Sequence, residues 1–134
     1  MEHFHYLVWI DHQLARIMSF NEQTSEARTL HSARGAEHLH HKANARDSGH
    51  VTVDHDFLEQ VAQALQHAGA ILITGPAGAK HELATHLKAK HPAIAARVSG
   101  VETVDHPSEG QLLALARKFF HGDDRMHAQR RTTP

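Results

Sequence analysis

The segment AILIT at residues 70–74 constrains the fold more than any other part of the chain. It is apolar up to Thr74, too short for a helix, and set between Gly69 and the pair Gly75 and Pro76. Those are the marks of a strand covered on both faces, which is the habit of parallel sheets. Helical patterns flank it on both sides. Upstream, Phe57, Leu58, Val61, Leu65 and Ala68 form one stripe behind Asp54, a good N-cap, with Gly69 as the stop. Downstream, Ala79, Leu83, Ala84 and Leu87 recur at helical spacing over residues 79–89. That helix should end before Pro92, because the residue preceding a proline disfavours helical geometry. A helix, a buried strand and a second helix in this order predict a sheet with helices packed on it.

The remaining elements fit that plan. YLVWI at 6–10 is a second all-apolar run, followed by the turn-like residues Asp11, His12 and Gln13. Residues 15–20 alternate, with Ala15 and Ile17 against Arg16 and Met18, and should return as a hairpin; residues 26–31 alternate as a third, more exposed strand. Residues 98–104 supply a fifth strand. Ser108 with Gln111 makes a capping box opening a last helix whose Leu112, Leu115, Ala116, Phe119 and Phe120 face the core. The predicted order is βββαβαβα. Right-handed crossovers then set the later strands parallel to the first, while the opening hairpins are antiparallel. This is an α/β fold with a mixed five-stranded sheet and flanking helices, a ribonuclease-H-like arrangement. One domain over residues 1–122 is expected, with 123–134 as a polar, flexible tail.

Composition narrows the setting. A chain of 134 residues suits one core. It has no Cys, which excludes a disulfide framework and thiolate zinc sites but leaves His, Asp and Glu as metal ligands. No apolar run approaches the length of a membrane span, and the start MEHFHYLVWIDH lacks the basic region and cleavage site of a signal peptide. The expected location is the cytoplasm, with no membrane partner.

Net charge is −1 with His neutral, so the whole-molecule field does not favour nucleic acid. Local charge does. Residues 32–53 show neither helical nor strand periodicity, and so long a stretch inside a compact domain calls for a function or for disorder. Between positions 28 and 50 stand Arg28, Arg34, Lys42 and Arg46 against Glu37 and Asp47, with His31, His38, His40, His41 and His50. Imidazole gains charge near pH 6.5 and more readily beside phosphate, so an anionic partner would increase the positive charge that it meets.

Two chemistries compete for this loop. Lys42 and Arg46 suit phosphates, and His38, His40, His41 and His50 can stack on or hydrogen-bond to RNA. Alternatively, His38, His40 and His41 are candidate metal ligands, for which His50, His55 or Glu37 would have to fold back. The stretch GPAGAK at 75–80 departs from phosphate-loop spacing and has no Ser or Thr after Lys80. It still offers Gly78 and Lys80 at a helix start to one phosphate of a larger partner. Nuclease chemistry would need converging carboxylates. Asp11 follows the first strand, but the fourth strand ends in Thr74 and Gly75, so Asp11 reads as a hairpin residue and Ser108 as a cap.

The runs LVWIDHQLARI (7–17), HLHHKANARDSGH (38–50), ILITGPAGAKHEL (71–83) and GVETVDH (100–106) together resemble the short bacterial translational machinery proteins. The similarity covers roughly residues 6–121. Those proteins are similar in layout to the middle domain of archaeal and eukaryotic class-1 release factors and of Pelota. In the release factors the corresponding loop carries a Gly-Gly-Gln tip. Here residues 35–50 hold that place without it, and Gln13, Gln23 and Gln60 lie elsewhere. The resemblance implies a ribosome- or tRNA-directed loop in a non-catalytic factor for stalling, hibernation or rescue, with no cofactor and no small-molecule substrate. A His-loop metal-binding protein or hydrolase, and a protein-interaction adaptor, are the alternatives.

Overall fold

The computed structural model describes residues 3–33 and 54–132, with side chains through residue 122. Five strands, β1 (His5–Ile10), β2 (Leu14–Phe20), β3 (Ser25–His31), β4 (Ala70–Gly75) and β5 (Val98–Thr103), form one sheet in the order β3-β2-β1-β4-β5. The helices are α1 (His55–Ala64), α2 (Ala79–Lys90), the short α3 (Pro92–Ala95) and α4 (Glu109–Thr132). β1 runs antiparallel to β2 and parallel to β4, and β4 is parallel to β5. The mixed α/β sheet with β4 in its interior is the predicted architecture.

The apolar runs are explained by burial on both sides of the sheet. Val8, Ile10, Ala15, Ile17, Ile71 and Ile73 face a layer made by α1, α2 and α3. Leu7, Trp9, Met18, Phe20 and Leu72 face α4, which contributes Leu112, Ala116 and Phe120. Each fully buried aliphatic side chain contributes about 1.5–3 kcal/mol. Sequence alternation sets Met18 opposite Ala15 and Ile17, and the structure shows why it is not a solvent position: α4 covers that face. β3 is an exposed edge strand, with only Leu30 partly covered.

Strand ends are fixed by specific bonds. Asp11 Oδ1 accepts the amides of Gln13 and Leu14 at 2.8 and 2.9 Å, closing the first hairpin. Asn21 Oδ1 does the same for Gln23 and Thr24 in the second. Thr74 donates its hydroxyl to Val8 O at 2.7 Å, satisfying a buried polar group within β4. Gly75 is required sterically, since a Cβ there would lie 2.3 Å from Ile10 O.

Helix starts follow the predicted caps. Asp54 accepts from Asp56 N, and Ser108 and Gln111 form the reciprocal box, at 2.9 and 3.2 Å. Two ends differ from the periodicity. α1 stops at Ala64, and Leu65, Gln66 and Ala68 then donate to residues three back, at 3.0, 3.4 and 3.0 Å. This tighter winding keeps Leu65 and Ala68 inside. Gly69 is not a left-handed stop; it makes room for the Phe4 ring, while Arg97 donates to the carbonyls of Gln66 and Ala68. At the other end, α4 continues to Thr132, through the stretch read from sequence as a polar tail. Among the described residues, no helix is long and apolar enough to cross a membrane.

Candidate functional site

β3, antiparallel to β2, points the same way as β1, so the carboxyl ends of β1, β3, β4 and β5 lie at one end of the sheet. In open α/β sheets this is the end where ligands bind. The segment between β3 and α1 starts there. Its entry is tied down by Ser32 N donating to Gln13 O at 2.8 Å, and its exit by the Asp54 cap. The sequence candidates His38, His40, His41, Lys42, Arg46 and His50 lie within this segment and outside the described residues.

The turn from β4 into α2 occupies the same end. Gly78 is the exposed N-cap of α2, without a side-chain cap bond, and nothing stands within 4 Å of where its Cβ would be. The first-turn amides of a helix have no intrahelical acceptor, which suits an anion. Lys80 is only 4% exposed, and its ammonium donates to Ala77 O at 2.5 Å. Of the two phosphate candidates, Gly78 is open to solvent, while the Lys80 amine is engaged with its own turn.

A second cluster, which sequence reasoning missed, joins α1 to the end of α2. Glu59 follows Leu58 on α1 and stays partly exposed; His86 lies one position before the buried Leu87 on α2; His91 terminates α2 because Pro92 follows. Glu59 Oε1 lies 2.9 Å from His86 Nε2 and 2.8 Å from His91 Nε2, and Oε2 lies 3.0 Å from His91 Nε2. Gln63, one turn further along α1, donates to Oε2 at 2.8 Å. The His91, Gln63 and His86 hydrogen bonds, in that order, lower the Glu59 carboxyl from its ordinary 4.5 to about 2. The His86 side chain is 8% exposed, that of His91 24% and that of Glu59 43%, so the cluster has a closed floor and an open mouth. The His55 ring stands 6.3 Å from that of His86. Two imidazoles and a carboxylate from three positions in the chain can share a proton or hold a cation. Among the described residues, this is the one group of at least three His, Asp or Glu side chains with ligand atoms that close. The strand ends therefore hold no such carboxylate group among those residues. The available signal was His86 beside the inward Leu83 and Leu87, submerged among 16 His.

No family model and no curated protein sequence matches the chain. Solved structures do. Pelota of Archaeoglobus fulgidus superposes with a TM-score of 0.65 at 15% identity, covering 95% of this chain and 36% of that one. Pelota of Thermoplasma acidophilum gives 0.59 at 17% identity over 81% and 30% of the respective chains. An archaeal translation termination factor gives 0.52 at 12% identity over 78% and 31%. The chain thus spans about a third of the length of each. At these identities the likeness is one of fold, and the fold of this chain is the one shared with parts of Pelota and the archaeal termination factor.

Proposed function

We propose that this protein is a non-catalytic translation factor that associates with the ribosome or tRNA, in stalling, hibernation or rescue, through the segment carrying His38, His40, His41, Lys42, Arg46 and His50. The observation that carries the reading is the superposition over 95% of the chain on Pelota, joined by the likeness to a translation termination factor. Placement supports it as well: the basic segment leaves the sheet at the end where α2 presents its N-terminus, so loop cations and helix amides can meet one phosphate backbone. A factor without its own chemistry agrees with the lack of a Gly-Gly-Gln in the sequence.

Cosedimentation with ribosomes over a salt series tests the proposal. Binding that weakens steeply as salt rises is the expected result, because phosphate contacts release counterions. Absence of binding at low salt would remove the ribosome as partner, and filter binding with tRNA under the same conditions would decide the other half. Incubation with peptidyl-tRNA on ribosomes should give no turnover attributable to this chain.

A further inference from the structure

We propose that Glu59, His86 and His91 form a binding site for one divalent transition metal, zinc by its donor set, which clamps α1 to the junction of α2 and α3. The proposal stands apart from the translation reading and uses none of its residues. Two His nitrogens and one carboxylate oxygen are a zinc ligand set, with the fourth position left to water. The three side chains already converge, with ligand atoms within 4.8 Å of one another. Tetrahedral zinc with bonds near 2.0–2.1 Å separates neighbouring ligand atoms by about 3.3 Å. The contacts of 2.8 and 2.9 Å from Glu59 Oε1 to the two imidazoles therefore need to open by only a few tenths of an ångström. The two imidazole nitrogens, which lie within 4.8 Å of each other, would come to the same separation as their rings turn.

The surroundings suit a metal as well as they suit a shared proton. Gln63 holds Oε2 at 2.8 Å, the kind of outer contact that orients a ligating carboxylate. His86 is nearly closed off while Glu59 remains open, which gives the ion an entry and leaves solvent on one side. On coordination each Nε2 gives up the proton that it donates to Glu59, to Nδ1 if the ring is neutral or to solvent if it is charged, and the metal takes its place. Affinity for other ions should follow the usual order for nitrogen and oxygen ligands, with copper(II) tighter than zinc.

The test uses the full chain without an affinity tag, stripped with a chelator and titrated with cobalt(II) and zinc(II). Cobalt(II) reports tetrahedral geometry through its visible bands, and zinc(II) is followed by calorimetry. The wild type is compared with Glu59→Gln, His91→Asn and a His40→Ala, His41→Ala double variant, all checked by circular dichroism. One equivalent should bind to the wild type and to the double variant. Affinity should fall at least tenfold in Glu59→Gln and in His91→Asn, and zinc should raise the melting temperature of the wild type but not of His91→Asn. Equal affinity in all four proteins would overturn the site, and so would binding that survives Glu59→Gln and His91→Asn but disappears in the double variant. Having two separate ligand variants keeps the test decisive if one of them fails to fold.

Discussion

His91 Nε2 is held between both carboxylate oxygens of Glu59, at 2.8 Å from Oε1 and 3.0 Å from Oε2, across 32 positions of sequence. The contact ties the first helix to the end of the second, where backbone hydrogen bonding cannot reach.

A consequence for pH follows. The folded Glu59 carboxyl titrates at about 2 against an ordinary 4.5, so its carboxylate adds stability that is complete above pH 4.5 and is lost as pH falls towards 2. Glu59→Gln lacks this contribution. Its melting temperature should lie below that of the wild type at pH 6, and the gap should close through that acidic window. Parallel melting curves down to pH 2 would show that the imidazoles add nothing to the folded state.

Two glycines should respond differently to alanine. Gly75→Ala sets a Cβ 2.3 Å from Ile10 O, a backbone atom that cannot turn aside, and should destabilise by about 1–3 kcal/mol. Gly78 has φ −76° and ψ −18°, with open space at its Cβ position. Gly78→Ala should therefore be nearly neutral, because the gain through the unfolded chain is offset by the poor fit of alanine at an N-cap. Urea melts of the two variants measure both.

Trp9 donates its indole N–H to Asp105 O at 2.7 Å and to Val104 O at 3.2 Å, anchoring the connection from β5 to α4. Trp9→Phe keeps the apolar contact with α4 but leaves those carbonyls without their donor, and should cost about 1–3 kcal/mol. Trp9 is also the one Trp in the chain, so its emission in the wild type should shift to the red when this layer opens, in step with loss of circular dichroism.

For the proposed ribosome or tRNA contact, Lys42→Ala should lower the slope of log affinity against log salt by about one, with stability unchanged. Affinity of the wild type should strengthen from pH 7.5 to about 6 if imidazoles meet phosphate, since proximity to an anion favours their charged form. A metal held by the same His would give the reverse trend.

The parts of the fold legible in sequence are those where burial writes a pattern into the chain. YLVWI and AILIT read as covered strands because every apolar position in them meets one helical layer or the other. Asp54, Ser108 and Gln111 read as caps because their bonds are local. Met18 was ambiguous, since its face is covered by a helix that begins about ninety residues later. The Glu59, His86 and His91 cluster was invisible for the same reason: it depends on how α1 lies against α2. His91 also breaks the helical period with His86, because it stands where α2 has already ended. The run of α4 to Thr132 had no apolar stripe to announce it, and helix-favouring residue types beyond Gly122 are a weaker signal than burial.

β3 and α1 are each secured by their own packing on the sheet, so the chain between them closes a loop whose two ends are already in place. Closure entropy rises by only about 0.6 kcal/mol for each doubling of loop length. On closure entropy alone, a change in the number of residues between Ser32 and Asp54 costs the domain little. Insertions between Ser32 and Asp54 should therefore leave the sheet and the helices in place.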